Sequence, residues 1–290
     1  MPKYHLDKCF VKDPIKFNDF YLFQIGRLYF APSDFMHLHA HKDFFELTII
    51  TDGEGEVITN GKPTSVRRGD IYFSLPCDMH EIRSSKDAPM KYDFFSFRTE
   101  NAEYLPLLEE ISRCLTLEDR VFSDERISAL VCDAIMEFTK DSPLRDGLLY
   151  SIFTQIIVYI IRDFSSATPR TKRRNASQSD AVCYQIMNYI DTHIYTMKNL
   201  DELSEVMKYN YSYLSTLFKK TTGNTLLSYY YAKRLEVARI LILENSLNIS
   251  EIAETLGYSS LYAFSRAFKE MYGLSPKQYY ASNSKAETVN

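Results

Sequence analysis

The sequence predicts an α+β protein of two domains. The first is an N-terminal β-barrel of jelly-roll type followed by helices; the second is an all-α domain with two helix-turn-helix units. Three observations predict this. From Asp19 to Arg98 the texture is one of short strands broken by turns. Between Asn199 and Tyr280 the chain repeats itself, at a shift of 49 and then of 50 residues. Charge is also divided: from Arg170 onward there are 15 Lys and Arg against 11 Asp and Glu, net +4, while the preceding residues carry 19 against 27, net −8. A basic half beside an acidic half suits a nucleic-acid-binding domain joined to something else.

Residues 1–18 show no clear pattern. Tyr21–Phe30, Phe44–Ile50, Glu56–Thr59, Ile71–Ser74 and Tyr92–Phe97 are rich in aromatic and β-branched residues, and Asp52-Gly53, Asn60-Gly61 and Arg68-Gly69-Asp70 punctuate them. Short strands at that spacing make a small barrel or jelly roll. From Ala102 the pattern becomes helical, over Tyr104–Leu115, Asp124–Lys140 and Arg145–Phe164. The last carries Leu148, Leu149, Ile152, Phe153, Ile156, Ile157, Ile160 and Ile161, a stripe wider than one buried face needs. Ser165 to Ser179 is polar and basic, lacks apolar periodicity and contains Pro169, so it reads as a flexible linker. Its Lys172-Arg173-Arg174 run is either a solvated charge run or a phosphate contact. The domains are therefore 1–164 and 180–290, with 165–179 between them.

In the repeat, Asn199, Glu202, Glu205 and Tyr209 recur as Asn248, Glu251, Glu254 and Tyr258. Ser215, Phe218, Lys219, Gly223, Tyr229 and Tyr230 recur as Ser265, Phe268, Lys269, Gly273, Tyr279 and Tyr280. Each copy opens with Asn-x-x-Glu, a capping-box start. Apolar residues follow at i, i+3 and i+7: Leu200, Leu203 and Met207, then Ile249, Ile252 and Leu256. A second cap candidate (Asn210; Ser259 or Ser260) opens a second helix, ended by Gly223 or Gly273. Helix, tight turn, helix is the helix-turn-helix, whose second helix enters the DNA major groove. Gly257 supplies a left-handed turn residue in copy two. Lys208 stands at that place in copy one, so Asn210 is expected to take the strained conformation there.

The second helices turn Leu214, Leu217 and Phe218, and Phe264, Ala267, Phe268 and Met271, inward. Outward they offer Ser212, Ser215 and Thr216, and Tyr262, Ser265 and Arg266, for base edges, with Lys219, Lys220 and Lys269 for phosphates. One polar helix face is ordinarily just solvated; two copies with matched caps, turns and lysines make duplex DNA the better reading. Thr225–Leu243 between the copies has helical spacing and would form a rod of roughly 28 Å, close to one duplex turn of about 34 Å.

The five cysteines are scattered and no C-x-x-C occurs, which excludes a disulfide framework and a cysteine zinc site and suits the reducing cytoplasm. No secretory pattern is present, and the longest apolar run, Leu148–Ile161, is too short and too interrupted by Ser151, Thr154 and Gln155 to span a bilayer. No membrane partner is expected.

Asn199–Tyr280 resembles the DNA-binding domain of the AraC/XylS family of bacterial transcription regulators. The run ISEIAETLGYSSLYAFSRAFKEMYGLSPKQYY carries the resemblance, with Gly257-Tyr258, Phe264, the Arg266–Lys269 block, Gly273 and Ser275-Pro276 in place. A preceding helix, Asp180–Ile194, belongs to the same region, and Tyr280 stands where the domain usually ends on Arg. In the first half, His39-x-His41, Glu46 and Gly53 resemble the first cupin motif. Gly69-Asp70, Pro76 and His80 resemble the second, with Asp78 in place of the usual Gly and one residue fewer before the His. In a metal-binding cupin His39, His41, Glu46 and His80 would converge inside the barrel, a set suited to Zn, Fe, Mn or Ni. Sensor domains of this family commonly resemble cupins that have lost the metal. The expectation is therefore no metal and no cofactor, with these four residues lining an effector pocket and His37 at its rim. A metal site, in a regulator or in a cupin enzyme with a DNA-binding tail, is the alternative. The resemblance implies a transcription regulator rather than an enzyme, and activation rather than repression. It further implies a small-molecule effector of carbohydrate type, a homodimer paired through the helices after the barrel, and promoter DNA and RNA polymerase as partners.

Overall fold

A central strand of the first unit is buried on both faces, and a core forms on each side of it. The computed structural model describes residues 3–11, 13–140, 142–165, 178–197, 199–244 and 247–284, so most of the expected linker, with Lys172, Arg173 and Arg174, lies outside the described residues. Contacts divide the chain into Met1–Ala181 and Val182–Asn290. The first unit runs β1 (Lys3–Cys9), β2 (Ile15–Phe17), β3 (Phe20–Tyr29), β4 (Phe35–Ala40), β5 (Phe45–Asp52), β6 (Glu54–Thr59), β7 (Lys62–Arg67), β8 (Ile71–Ser74), β9 (Met79–Ser84) and β10 (Lys91–Thr99). Then come α1 (Tyr104–Cys114), β11 (Val121–Phe122), α2 (Glu125–Phe138) and α3 (Arg145–Ser165).

The strands form two antiparallel sheets. One is ordered β1-β3-β10-β5-β8-β11, with β2 on β3; the other is β4-β9-β6-β7. The larger sheet is covered on both sides. Phe45, Leu47, Ile49, Phe73, Phe95 and Phe97 pack with the helices through Leu108, Ile127, Val131, Phe153 and Ile156. Alternate residues Ile50, Tyr72, Tyr92 and Phe94 pack with Leu28, Val57, Val66, Ile82 and Met90 in a second core. Among the described residues no ladder joins the two sheets, so the predicted barrel is an open two-sheet jelly roll. A buried contact between the Thr59 and Tyr72 hydroxyls, at 2.6 Å, links the small sheet to the large one. Gly53, at φ 72°, turns β5 into β6 where a Cβ would collide with the Pro89 carbonyl oxygen.

The width of the α3 stripe has an internal explanation. Leu149, Ile152, Phe153, Ile156, Ile157, Ile160 and Ile161 are all buried within the chain, and Leu148 alone of the predicted stripe is exposed. Phe153 lies under the sheet, with ring centroids 4.6 Å from Phe20 and 5.1 Å from Phe95. Helices α1 and α2 pack against α3 as well, so neighbours cover most of its circumference. α3 has the length and mean hydropathy (1.3) of a membrane span, but that burial makes it a core helix.

The second unit is helical: α4 (Gln178–His193), α5 (Glu202–Met207), α6 (Tyr211–Thr222), α7 (Leu226–Glu244), α8 (Ile249–Thr255), α9 (Leu261–Tyr272) and α10 (Pro276–Ser284). The pairs α5–α6 and α8–α9 are the two predicted units, and α7 is the predicted connector. It buries Leu226, Tyr229, Tyr230, Leu235, Ala238 and Ile242. The Tyr229 hydroxyl donates to Asp191 of α4 at 3.1 Å, and Lys233 lies 3.7 Å from the same carboxylate.

One buried charge has no signal in the sequence. Arg120 is fully buried, and its Nη1 donates to the Phe73 carbonyl at 2.8 Å and to Asp78 Oδ2 at 2.6 Å. The same Asp78 oxygen accepts from the Leu75 N–H at 2.9 Å, which fixes the loop between β8 and β9. Removing one partner of such a pair strands the other charge in the interior. Arg120→Ala is expected to lower the unfolding free energy by about 3–5 kcal/mol, read as a lower urea midpoint at unchanged slope.

Candidate functional site

Two groups of side chains carry chemistry, one in each unit. In the second unit the caps set the reading helices. Asn248 closes a full capping box: its Oδ1 accepts from the Ser250 and Glu251 N–H groups at 3.0 Å, and Glu251 accepts from the Asn248 N–H at 2.7 Å. The box expected in copy one does not form. Asp201 occupies the cap, and Asn199 instead accepts from the Asp201 N–H at 2.9 Å, because α5 begins too far along for Asn199 to reach its first turn. Asn210 caps α6 by accepting from the Tyr213 N–H at 2.8 Å, and Ser260 caps α9 by accepting from the Ala263 N–H at 3.1 Å. Gly223 and Gly273 end these helices in the left-handed conformation, at φ 81° and 74°.

Between the caps, Leu214, Phe218, Phe264 and Phe268 are buried. Ser212, Thr216, Lys219 and Lys220 on α6, and Tyr262, Arg266 and Lys269 on α9, are exposed, and Ser215 and Ser265 are half-buried at matching positions. Each helix thus shows hydroxyls and cations on one side and buried apolar residues on the other, as the repeat predicted.

In the first unit, alternation along β5 turns Glu46 inward while Phe45 and Leu47 face the helices. β4 and β9 belong to the other sheet, and a bulge between Met36 and His39 sets His39 directly opposite His80. Ring centroids of His39 and His80 are 4.2 Å apart, and those of His39 and His41 4.9 Å. Nε2 of His41 lies 3.4 Å and Nε2 of His80 3.3 Å from the Glu46 oxygens. Ser96 of β10 donates to Glu46 at 2.8 Å. His39 Nδ1 donates to the His37 carbonyl at 2.8 Å. One potential ligand atom from each of His39, His41, Glu46 and His80 lies within 4.8 Å of the others. Glu46 and His80 are buried, and His39 and His41 are half-buried. Burial, with His80 and His41 alongside, holds His39 well below the ordinary histidine range. Burial would push the Glu46 carboxyl up, but His41 and His80 outweigh it and hold the group well below the usual carboxylate range. His37 packs against the Phe35 ring at 4.6 Å and is not one of the clustered four. Such a set can hold a divalent metal or bind a polar ligand.

An AraC-like ligand-binding domain model matches residues 28–157, and a helix-turn-helix domain model matches residues 203–282. The chain belongs to the AraC family of transcription regulators. The Msm operon regulatory protein of Streptococcus mutans is 23% identical over 82% of this chain and 84% of its own length. The xylose operon regulatory protein of Escherichia coli is 34% identical over 37% of this chain and 28% of its own length. The chain spans about a third of the length of several other curated relatives it matches. ToxT of Vibrio cholerae, solved with (E)-4-(8-methylnaphthalen-1-yl)but-3-enoic acid bound, shares the fold at a TM-score of 0.51 and 13% identity, over 91% of this chain and 98% of that one.

Two features of this AraC-family chain depart from the sequence reading or escape it. The left-handed turn residue of copy one is Lys208 itself, at φ 59° and ψ 29°, and not Asn210, which is extended at φ −70° and ψ 150°. A capping side chain needs that extended backbone to reach back to its helix, so the strained position falls earlier, where copy two has Gly257 at φ 65°. Arg234 of α7 was also missed. It is buried with its guanidinium over the ring of Tyr258 at 4.5 Å and beside Gly257, where a Cβ would come within 3.2 Å of Nη2. Its place in a long helix gives it the look of a solvated charge. Lys208→Gly is expected to relieve the strained turn and raise stability by about 0.5–1 kcal/mol. Thermal melting checks this, with Lys208→Ala as the control that gains nothing.

Proposed function

We propose that this chain is a one-component activator of transcription, acting in the cytoplasm as a homodimer that engages promoter DNA and RNA polymerase. The observation that carries the reading is the matched pair of capped helices, α6 and α9, each exposing hydroxyls and cations from the same positions of a repeated unit. Ser212, Ser215 and Thr216, with Tyr262, Ser265 and Arg266, are assigned to base edges. Lys219, Lys220 and Lys269 are assigned to phosphates. α7 packs on both units and holds the two heads in one body.

A small-molecule effector in the jelly roll biases the dimer between two arrangements, and it acts only through its different affinity for each. A carbohydrate is the proposed class. The inner face around His39, His41, Glu46 and His80 also carries the Thr48 and Ser74 hydroxyls, both buried without a hydrogen-bond partner. A polyhydroxyl ligand can satisfy such groups. The name of the xylose-operon relative points the same way.

Arg266→Ala is expected to cost about 1–3 kcal/mol on the cognate site and to relax preference at one base pair. Lys219→Ala and Lys269→Ala are expected to weaken binding to all sequences alike, each reducing the slope of log K against log salt by about 1. Fluorescence anisotropy on cognate and scrambled duplexes separates the two; equal loss for Arg266→Ala on both would make it a phosphate contact. Footprinting of neighbouring promoters is expected to change when a stabilising sugar, found by thermal-shift screening, is added. A footprint indifferent to every ligand that binds would refute effector control.

A further inference from the structure

We propose that Arg234 is the positioning residue that sets which half-site spacing this chain accepts, by clamping the turn of the second helix-turn-helix to α7. This role rests on the DNA-reading assignment above and adds what fixes one head against the other.

The repeated unit is longer than a helix-turn-helix. Tyr229 and Tyr230 recur as Tyr279 and Tyr280, at the same place in α7 and in α10. Their packing recurs too. Phe218 of α6 lies 5.5 Å from Tyr229 between ring centroids, and Phe268 of α9 lies 5.5 Å from Tyr279. Each head is therefore a unit of three helices, and the start of α7 is the third helix of head one.

Arg234 stands one helical turn beyond Tyr230 and faces head two. Its buried guanidinium lies 4.5 Å from the centre of the Tyr258 ring, with the rings of Tyr230 and Tyr231 at 5.3 and 5.8 Å. Cation–π attraction strengthens where water is excluded. Nε of Arg234 and the Tyr258 hydroxyl are buried without hydrogen-bond partners, so stacking fills the joint at those atoms. Gly257 completes the fit, because a Cβ there would come within 3.2 Å of Nη2. Tyr258 passes the contact on. Its ring meets Phe264 edge-on at 5.2 Å, and Phe264 is fully buried in the first turn of α9. A planar guanidinium stacked on rings accepts few orientations, so α7 aims α9.

The matching turn of head one is built differently. Tyr209, the counterpart of Tyr258, is exposed and leans on Tyr213 of its own α6 at 5.0 Å. The clamp thus belongs to the junction between the heads, where their separation and relative rotation are decided. One inserted base pair moves a half-site by about 3.4 Å and turns it by about 35° around the duplex. Two heads in a stiff body cannot follow both changes.

The test uses the full chain. A preferred site is selected from random duplexes, then lengthened or shortened by one base pair between its halves. The wild-type chain is expected to lose about 30-fold or more in affinity for either change. Arg234→Met is expected to bind the selected site about tenfold more weakly, yet to lose less than about threefold further on the altered spacings. Base preference within each half is expected to stay the same. Arg234→Lys keeps the charge without the plane and is expected to fall between the two. If Arg234→Met loses its native circular dichroism, Tyr258→Leu, which removes the other member of the stack, takes its place. A second measurement needs no DNA: spin labels on unnatural amino acids at the matched positions of Ser212 and Tyr262. Their distance distribution is expected to be narrow in the otherwise wild-type chain and broader with Arg234→Met. A spacing profile unchanged by the substitution overturns the proposal, as does a distribution that stays narrow. If the wild-type chain selects no duplex, the DNA-reading assignment fails, and the label distances alone judge the clamp.

Discussion

A strand buried on both faces has to serve two environments at once, and β5 is that strand. Phe45, Leu47 and Ile49 are committed to the helical layer, and Glu46, Thr48 and Ile50 to the space between the sheets. Period-two alternation allows no compromise, because a one-residue slip would put the carboxylate among phenylalanines. Everything around β5 follows from that division. α3 lies beneath one face, Tyr72 and Tyr92 fill the other, and the polar end of the inner face gathers three imidazoles around one buried carboxylate.

The second unit answers a different constraint. A pair of short helices cannot bury its own apolar face, so each helix-turn-helix needs a support. α7 provides one support for both. Its polar attachments are as specific as its apolar ones. Tyr229 and Lys233 meet Asp191 of α4, while Arg234 stacks on Tyr258 in the turn of the second unit. Buried Arg234 thus fixes α7 against the second helix-turn-helix, and the Tyr229 and Lys233 contacts fix it against α4. Desolvation raises the Asp191 carboxyl above its ordinary range even with Lys233 nearby, although the residue keeps an exposed edge.

The two units therefore use polar groups for opposite ends. On α6 and α9 the polar groups face out, where solvent reaches them. In the jelly roll they face in, and two imidazole nitrogens and two hydroxyls there lack partners. Interiors seldom leave such groups unmatched, and the proposed effector pocket lies there.

Much of this was legible in the residues alone. The repeat located both helix-turn-helix units, their second-helix caps and their glycine stops, because caps and left-handed turns are decided within a few residues of chain. Apolar runs gave β3, β5, β6, β8 and β10 and all three helices of the first unit. What escaped notice were strands such as β4 and β9, whose sequences MHLHA and MHEIR hide alternation because His39 and His80 stand beside Met36 and Ile82 on their inward faces. The copy-one capping box and the placing of strain on Asn210 failed, since each depends on where an element meets its neighbour; the jelly roll held, with its two sheets left open. Arg120 and Arg234 looked like surface charges until folding enclosed them. The sequence determined what is local: periodicity, caps, turns and the identity of the clustered donors. Tertiary structure alone decided which groups are denied water, because burial depends on elements far apart in the chain, and burial is what turns a histidine or an arginine into a site or a strut.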